Sequence, residues 1–415
     1  MGKTIAEKIL SNHSGKEAKA GDIVIADLDF MIGQDGTSGV AIDSFRKLEG
    51  KKVFDPKKIA IIIDHSSPSP NEGVSAIHKK IRDFVKEQGI LLYDIGCGVC
   101  HQITPEAGHV VPGDLCIGAD SHTCTYGAIN VFSTGIGSTD LAAAMIAGKL
   151  WFKVPETMHL IYRKKLSRGV YSKDLILYTI GKISARGATY MSMEIEGEAI
   201  DNLSIDARFT ISNMAIEAGA KAGLMKADAK TLEWVKKHSN RKPNPVEADK
   251  DAKYKVTHEF DASKIEPQIA KPHKVDNTCS VNEIAGLEIH QGLIGTCTNG
   301  RLEDLEIAAN ILKGKKIKSR LIIAPASRQI FLDAMKKGLV ETLVNAGAVF
   351  VTPGCGPCVG THNGVPSDGE RVISTANRNF LGRMGNRNSE IYLASPATVA
   401  ASMIEGKIAD PRKYI

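Results

Sequence analysis

A chain of 415 residues with 43% hydrophobic and 24% charged side chains has an ordinary globular composition, which excludes disordered, collagen-like and coiled-coil classes. Its 53 basic and 47 acidic residues leave a formal charge of +6, and aromatic residues make up only 5%, which argues against a nucleic-acid binder built on a basic face or stacking rings. The length suggests about three domains, and eight cysteines are too sparse for a disulfide scaffold, so they point to metal binding or catalysis.

The stretch from Ser121 to Thr139 carries no Asp, Glu, Lys or Arg, but it is too rich in Gly, Ser and Thr to span a membrane. No apolar signal-peptide core opens the chain, so a cytoplasmic location is expected, without membrane or nucleic-acid partners.

Thr4 and Glu7 form a capping-box pattern ahead of Ile9 and Leu10, which predicts an opening helix. The β-branched run from Lys58 to Ile63 predicts a buried strand that delivers Asp64-His65 to a loop. Residues 77–88 then read as a helix and 90–95 as the next strand. A further strand, 115–119, ends at Asp120-Ser121-His122-Thr123, and a glycine-rich segment leads into a helix expected over 138–150. This alternation predicts an α/β fold with largely parallel sheets, whose sites gather beyond the carboxyl ends of the strands. Residues 236–276 carry prolines and mixed charge and read as a solvated connection. Strands are expected again at 320–324 and 348–351. The predicted domains are 1–150, 151–275 and 276–415.

Three groups of residues could carry chemistry. Gly295-Thr296-Cys297-Thr298-Asn299-Gly300 precedes Gly354-Cys355-Gly356-Pro357-Cys358 by more than fifty residues. Alone, the Cys-x-x-Cys pair reads equally as structural zinc, a redox pair or coincidence; with Cys297 as a third thiolate it could hold an iron-sulfur cluster with one iron left open, a Lewis acid. Asp64-His65, His101-Gln102 and Asp120-Ser121-His122 place imidazoles beside carboxylates at strand ends, as general acid catalysis requires. Arg378 and Arg383, in Asn377-Arg378-Asn379-Phe380-Leu381-Gly382-Arg383, could bind carboxylates in bidentate fashion. A fourth motif, Cys97-Gly98-Val99-Cys100-His101, satisfies the haem-attachment pattern, which requires export that nothing in the sequence signals.

Taken in order along nearly the whole chain, these motifs resemble the aconitase superfamily. Within it they are most similar to the large subunits of archaeal-type 3-isopropylmalate dehydratases, close to the homoaconitases. The resemblance implies a three-domain α/β/α architecture with the site in the cleft between domains, lacking the swivelling fourth domain of full-length aconitases. It implies a 4Fe-4S cluster ligated by Cys297, Cys355 and Cys358, with one iron not ligated by cysteine. His65, paired with Asp64, would protonate the departing hydroxyl. Asp120 and His101 would sit beside the open iron, Ser121 and Gln34 would touch substrate, and Glu217, in Asn213-Met214-Ala215-Ile216-Glu217, would support His122. Arg378 and Arg383 would bind substrate carboxylates, with Asn213, Asn299 and Asn377 around the cluster. The family's serine base and specificity loop would come from a separate small subunit. The implied reaction dehydrates and rehydrates a small di- or tricarboxylate: isopropylmalate first, with homoaconitate or 2-methylmalate (citramalate) as alternatives. Two rival classes predict other behaviour: a Cys297 nucleophile for acyl transfer, and a cluster-free RNA binder, which the weak charge and few aromatics disfavour.

Overall fold

The computed structural model describes residues 2–415. Three larger sheets follow one another along the chain, beside a two-stranded ribbon of Ile23–Asp27 and Lys149–Lys153. In the first, five parallel strands are ordered Leu91–Tyr93, Ile59–Ile62, Phe30–Gln34, Leu115–Gly118 and Phe132–Gly135. The second has four parallel strands, Ala222–Leu224, Ser192–Glu196, Thr157–Arg163 and Val256–Asp261. The third has seven, with Arg371–Ser374, Gln291–Gly295, Arg320–Ala324 and Val349–Phe350 running parallel, and antiparallel pairing where Gln268–Ala270 meets Glu390–Ala394 and Thr278–Ser280. The fold is therefore α/β, as the alternation of strand and helix patterns predicts. Every residue of Ile59–Ile62 is buried, as a parallel strand covered on both faces requires.

The opening helix, Ile5–Ser14, forms with Thr4 and Glu7 making both halves of the capping box. The helix expected over 77–88 starts earlier, at Glu72, because Asn71 accepts from the Val74 N–H and caps it there. The helix expected to reach Leu150 ends at Ala147. Gly148 takes φ 70°, and the next residues form the strand Lys149–Lys153, antiparallel to Ile23–Asp27. The expected connection 236–276 contains two strands, Val256–Asp261 and Gln268–Ala270. The first of these is an edge strand with one face in solvent, so its polar alternation conceals it from a reading based on apolar runs. Among the described residues no helix is long and apolar enough to cross a membrane.

The site residues inherit their positions from strand ends. Gln34 closes Phe30–Gln34, Asp64 lies two residues beyond Ile62, and Asp120 two beyond Gly118. In the third sheet Cys297 lies two residues beyond Gly295 and Asn377 three beyond Ser374. A carboxyl-end location is what parallel sheets offer to a ligand, since their loops converge there.

Candidate active site

Cys297 sits on a single helical turn, Thr296–Asn299, entered through backbone that few residues tolerate. Gly295 has φ 146°, and a Cβ there would lie 2.2 Å from the Ala324 carbonyl oxygen; the β-branched Thr296 follows at φ 71°. Strain of this kind costs on the order of 1–3 kcal/mol per residue and persists only where the surroundings impose it. Cys355 and Cys358 lie on a turn bounded by Gly354 at φ 155° and Gly360 at φ 78°. All three cysteines are buried.

Their sulfurs are surrounded by nitrogen donors. Asn213 Nδ2 and Asn377 Nδ2 lie 3.3 Å and 3.4 Å from Cys297 Sγ, and Arg383 Nη2 lies 3.4 Å from Cys358 Sγ. The Cys355 thiol bonds to Cys358, and with Arg383 beside it holds Cys358 well below the usual thiol range. Burial pushes Cys297 up to about 11. Among the described residues, the only three ligand-type atoms all within 4.8 Å of one another belong to Asp35, Asp64 and His65. The three cysteine sulfurs are thus not all within 4.8 Å of one another, wider as a set than the roughly 3.8 Å separations that one tetrahedral zinc imposes at a Zn–S distance near 2.3 Å. Three convergent thiols, N–H donors aimed at sulfur and a buried Arg383 Nε with no hydrogen-bond partner fit a larger anionic group, as an iron-sulfur cluster is.

The histidines form one network around Asp120. His101 Nε2 lies 2.8 Å from Asp120 Oδ1, which also accepts the His122 backbone N–H at 2.8 Å; His65 Nε2 lies 3.3 Å from Oδ2 and Gln34 Nε2 3.5 Å. His65 Nδ1 is 2.8 Å from Asp64 Oδ1. Burial opposes the His65 imidazolium, but Asp64 and Asp120 outweigh it and hold its pKa well above the ordinary value. Burial likewise disfavours the Asp120 carboxylate, and the three histidines reverse this, holding it well below the usual range. His122 Nε2 and Arg378 Nε both reach Glu217 Oε1, at 2.8 Å and 2.7 Å, so an arginine of the third sheet's loops and a histidine of the first share a carboxylate from the second region. Together they outweigh burial and keep Glu217 below its ordinary value. Ser121 opens onto a cavity of about 460 Å³ shared with Ile136, Trp151, Tyr190 and Ile216.

The structure therefore brings together Gln34, Asp64, His65, His101, Asp120, His122, Asn213, Glu217, Cys297, Cys355, Cys358, Asn377, Arg378 and Arg383. Asn299 stands on the Cys297 turn but directs its amide nitrogen to Thr210 Oγ1 and Asp304 Oδ1, at 3.1 Å and 2.8 Å, away from the sulfurs. In the haem-like motif, Cys100 is buried with its N–H on Asp64, and His101 is committed to Asp120. Cys97 is half-buried, with its sulfur 3.7 Å from Arg328 Nη2.

Three supporting residues escape a sequence reading. Asp35 accepts the backbone N–H groups of Asp64, His65 and Ser66 and pairs with His78 Nε2 at 3.1 Å, so it shapes the loop that carries His65. Its place directly after Gln34 is the only signal. Arg301, fully buried, donates to the carbonyls of Cys297 and Thr298 and to Gln102 Oε1, tying the Cys297 turn to the helix of His101. Lys173, also fully buried, reaches the carbonyls of Thr375 and Ala376. A lone basic residue in an amphipathic segment carries no mark of such a role.

Comparison with known proteins shows the family of the chain. A family described as the aconitase family (aconitate hydratase) matches residues 7–286 and 280–406. The chain is 51% identical to 3-isopropylmalate dehydratase large subunit 1 of Methanopyrus kandleri, over the full length of both. It is 52% identical to the protein of that name from Pyrococcus furiosus, over all of this chain and 99% of the relative. It is also 51% identical to a probable methanogen homoaconitase large subunit of Methanosarcina mazei, over 94% of this chain and all of the relative. Among solved structures, Thermococcus kodakaraensis aconitase X in its holo-form matches with TM-score 0.50 and 13% identity, covering 86% of this chain and 84% of that one, a likeness of fold alone.

Proposed function

Because the chain belongs to the aconitase family, we propose that it is the large, cluster-bearing subunit of a hydro-lyase that interconverts 2- and 3-isopropylmalate by removing and re-adding water. The observation that carries this reading is the convergence of three buried cysteines with the hydrogen-bonded His65–Asp64 pair: the Cys355 N–H donates to the Asp64 carbonyl at 2.9 Å, so the thiol turn and the His65 loop share one backbone junction. Relatives matching the chain end to end bear the dehydratase name. A second reading, homoaconitase, is favoured by the Methanosarcina relative at nearly the same identity.

Cys297, Cys355 and Cys358 would hold a 4Fe-4S cluster, which supplies a Lewis-acid metal vertex to weaken the bond to the departing hydroxyl. This chain's residues supply the rest. His65, protonated between Asp64 and Asp120, donates the proton that lets hydroxide leave as water. Asp120 remains ionised because three histidines surround it, and its carboxylate holds His65 and His101 in fixed orientation. Arg378 and Arg383 neutralise substrate carboxylates. Glu217 aligns Arg378 with His122, while Gln34 and Ser121 contribute hydrogen bonds. The proton on the neighbouring carbon is taken by a base outside this chain, on a small subunit that also shapes the side-chain pocket. The predicted domains 1–150, 151–275 and 276–415 would each contribute one wall of the cleft. The subunit is proposed to work in the cytoplasm.

Anaerobic reconstitution with iron and sulfide, followed by assay with 2-isopropylmalate and with homoaconitate in the presence and absence of the small subunit, tests this. Turnover of isopropylmalate by the pair alone is expected. Full-rate turnover by the large chain alone would overturn the divided site, and homoaconitate as the better substrate would favour the second reading.

A further inference from the structure

Lys173 is the second residue of the helix Ser172–Ile183, and its side chain has no solvent exposure. Its Nζ donates to the carbonyls of Thr375 and Ala376, both at 2.7 Å. No carboxylate pairs with it among the described residues; its neighbour Asp174 turns instead to the backbone N–H groups of Tyr171 and Gln268. An ammonium buried without a counter-ion is costly, and a neutral side chain of similar volume would remove that cost. Burial accordingly pushes the Lys173 pKa down to about 7.

The carbonyls it binds lie at a junction. Thr375 hydroxyl Oγ1 accepts the Gly295 N–H at 2.9 Å, two residues before Cys297. Asn377, directly after Ala376, sends its amide to Cys297 Sγ at 3.4 Å, and Arg378 follows. The groups that oppose this lowering of the Lys173 pKa are, in order, the sulfurs of Cys358 and Cys297 and then the carboxylates of Asp304 and Glu217. The segment that Lys173 anchors is thus the one that carries Asn377, a donor to Cys297.

We propose that Lys173 is the buried counter-charge of the cysteine cradle, a positioning residue whose ammonium both anchors the 375–378 segment and offsets the negative charge of a thiolate-bound cluster. This rests on the cradle holding a cluster, as argued above. A cubane carried by three thiolates is net anionic in its oxidised state, and reduction adds a further negative charge. A fixed cation in a dry interior therefore favours the reduced form and raises the midpoint potential, since cluster potentials respond to net charge and hydrogen bonding.

Three substitutions separate charge from hydrogen bonding. Lys173→Arg keeps both, Lys173→Gln keeps N–H donors without charge, and Lys173→Met removes both. Each variant is reconstituted anaerobically with iron and sulfide, its iron content is measured, and its midpoint potential is read by optical and EPR titration. The expected result is a potential near wild type for Lys173→Arg and shifted downward for both Lys173→Gln and Lys173→Met, or cluster incorporation by Lys173→Arg with loss in the two neutral variants. A wild-type potential and full iron content in Lys173→Gln would overturn the proposal, because hydrogen bonding would then suffice. Failure of Lys173→Arg alongside the other two would overturn it as well, since shape rather than charge would govern the site. Absence of a cluster from the wild-type chain would instead refute the cluster reading on which the proposal stands.

Discussion

The backbone N–H of Cys355 donates to the carbonyl of Asp64 at 2.9 Å. One hydrogen bond thus joins the turn that presents two thiols to the loop that presents the His65 imidazole. Gly354 makes the approach possible: at φ 155°, a Cβ there would stand 2.8 Å from the same carbonyl oxygen. The two thiols and the imidazole are consequently held in register by backbone geometry, and substitution at any of these residues should affect the others.

The linkage of His65 and Asp120 fixes a pH window. His65 has a folded pKa raised above its unfolded value near 6.5, so its contribution to stability is fully present below that value and fades as the pH rises through the folded pKa. Asp120 has a folded pKa lowered below 3.8, so its contribution is present above that value and fades as the pH falls through the folded one. In Asp120→Asn the imidazole loses one of its two carboxylates, and the His65 titration should move downward. NMR titration of the His65 ring in metal-free protein measures this; an unmoved midpoint would show that Asp64 alone sets it.

Arg383→Lys and Arg378→Lys should raise KM and lower kcat together. A lysine keeps the charge but forfeits the paired N–H geometry, and a charged hydrogen bond of about 1.5–3 kcal/mol corresponds to a roughly ten- to hundredfold loss in kcat/KM. Steady-state kinetics of the reconstituted complex test this, and an unchanged KM would mean that the guanidinium does not touch substrate.

Gly295→Ala should destabilise the chain by about 3 kcal/mol or more, because the new methyl would meet the Ala324 carbonyl at 2.2 Å in a backbone region that L side chains rarely adopt. Denaturant unfolding of the metal-free protein measures it. Gly15→Ala, at φ 65° with open space around it, should cost only about 1 kcal/mol.

Arg301→Leu should separate the Cys297 turn from the helix of His101. It strands Gln102 Oε1 and two carbonyls and removes the cation beside Asp304, whose pKa burial pushes up to about 7 even with Arg301 present. Removal of one partner from such a buried network costs about 3–5 kcal/mol. A thermal shift as small as that of a surface substitution would show that the network relaxes without it.

The sequence determined whatever depends on local order. Apolar runs ending in Asp64-His65 and Asp120-Ser121-His122 identified strands and the polar loops beyond them, because periodicity and strand-end chemistry are properties of a few consecutive residues. The spaced cysteines and the Asn377–Arg383 segment were legible for the same reason, and the order of the motifs pointed to the family. The edge strand Val256–Asp261 was hidden because one face of it meets water and its residues alternate as a surface loop's do. Only the tertiary structure decided that Glu217 serves both His122 and Arg378, that Asn299 turns away from the sulfurs, and that Lys173 and Arg301 lie buried behind the site. Those facts depend on where separate sheets place their loop ends, and a buried cation is indistinguishable in sequence from one in solvent until the fold has removed the water around it.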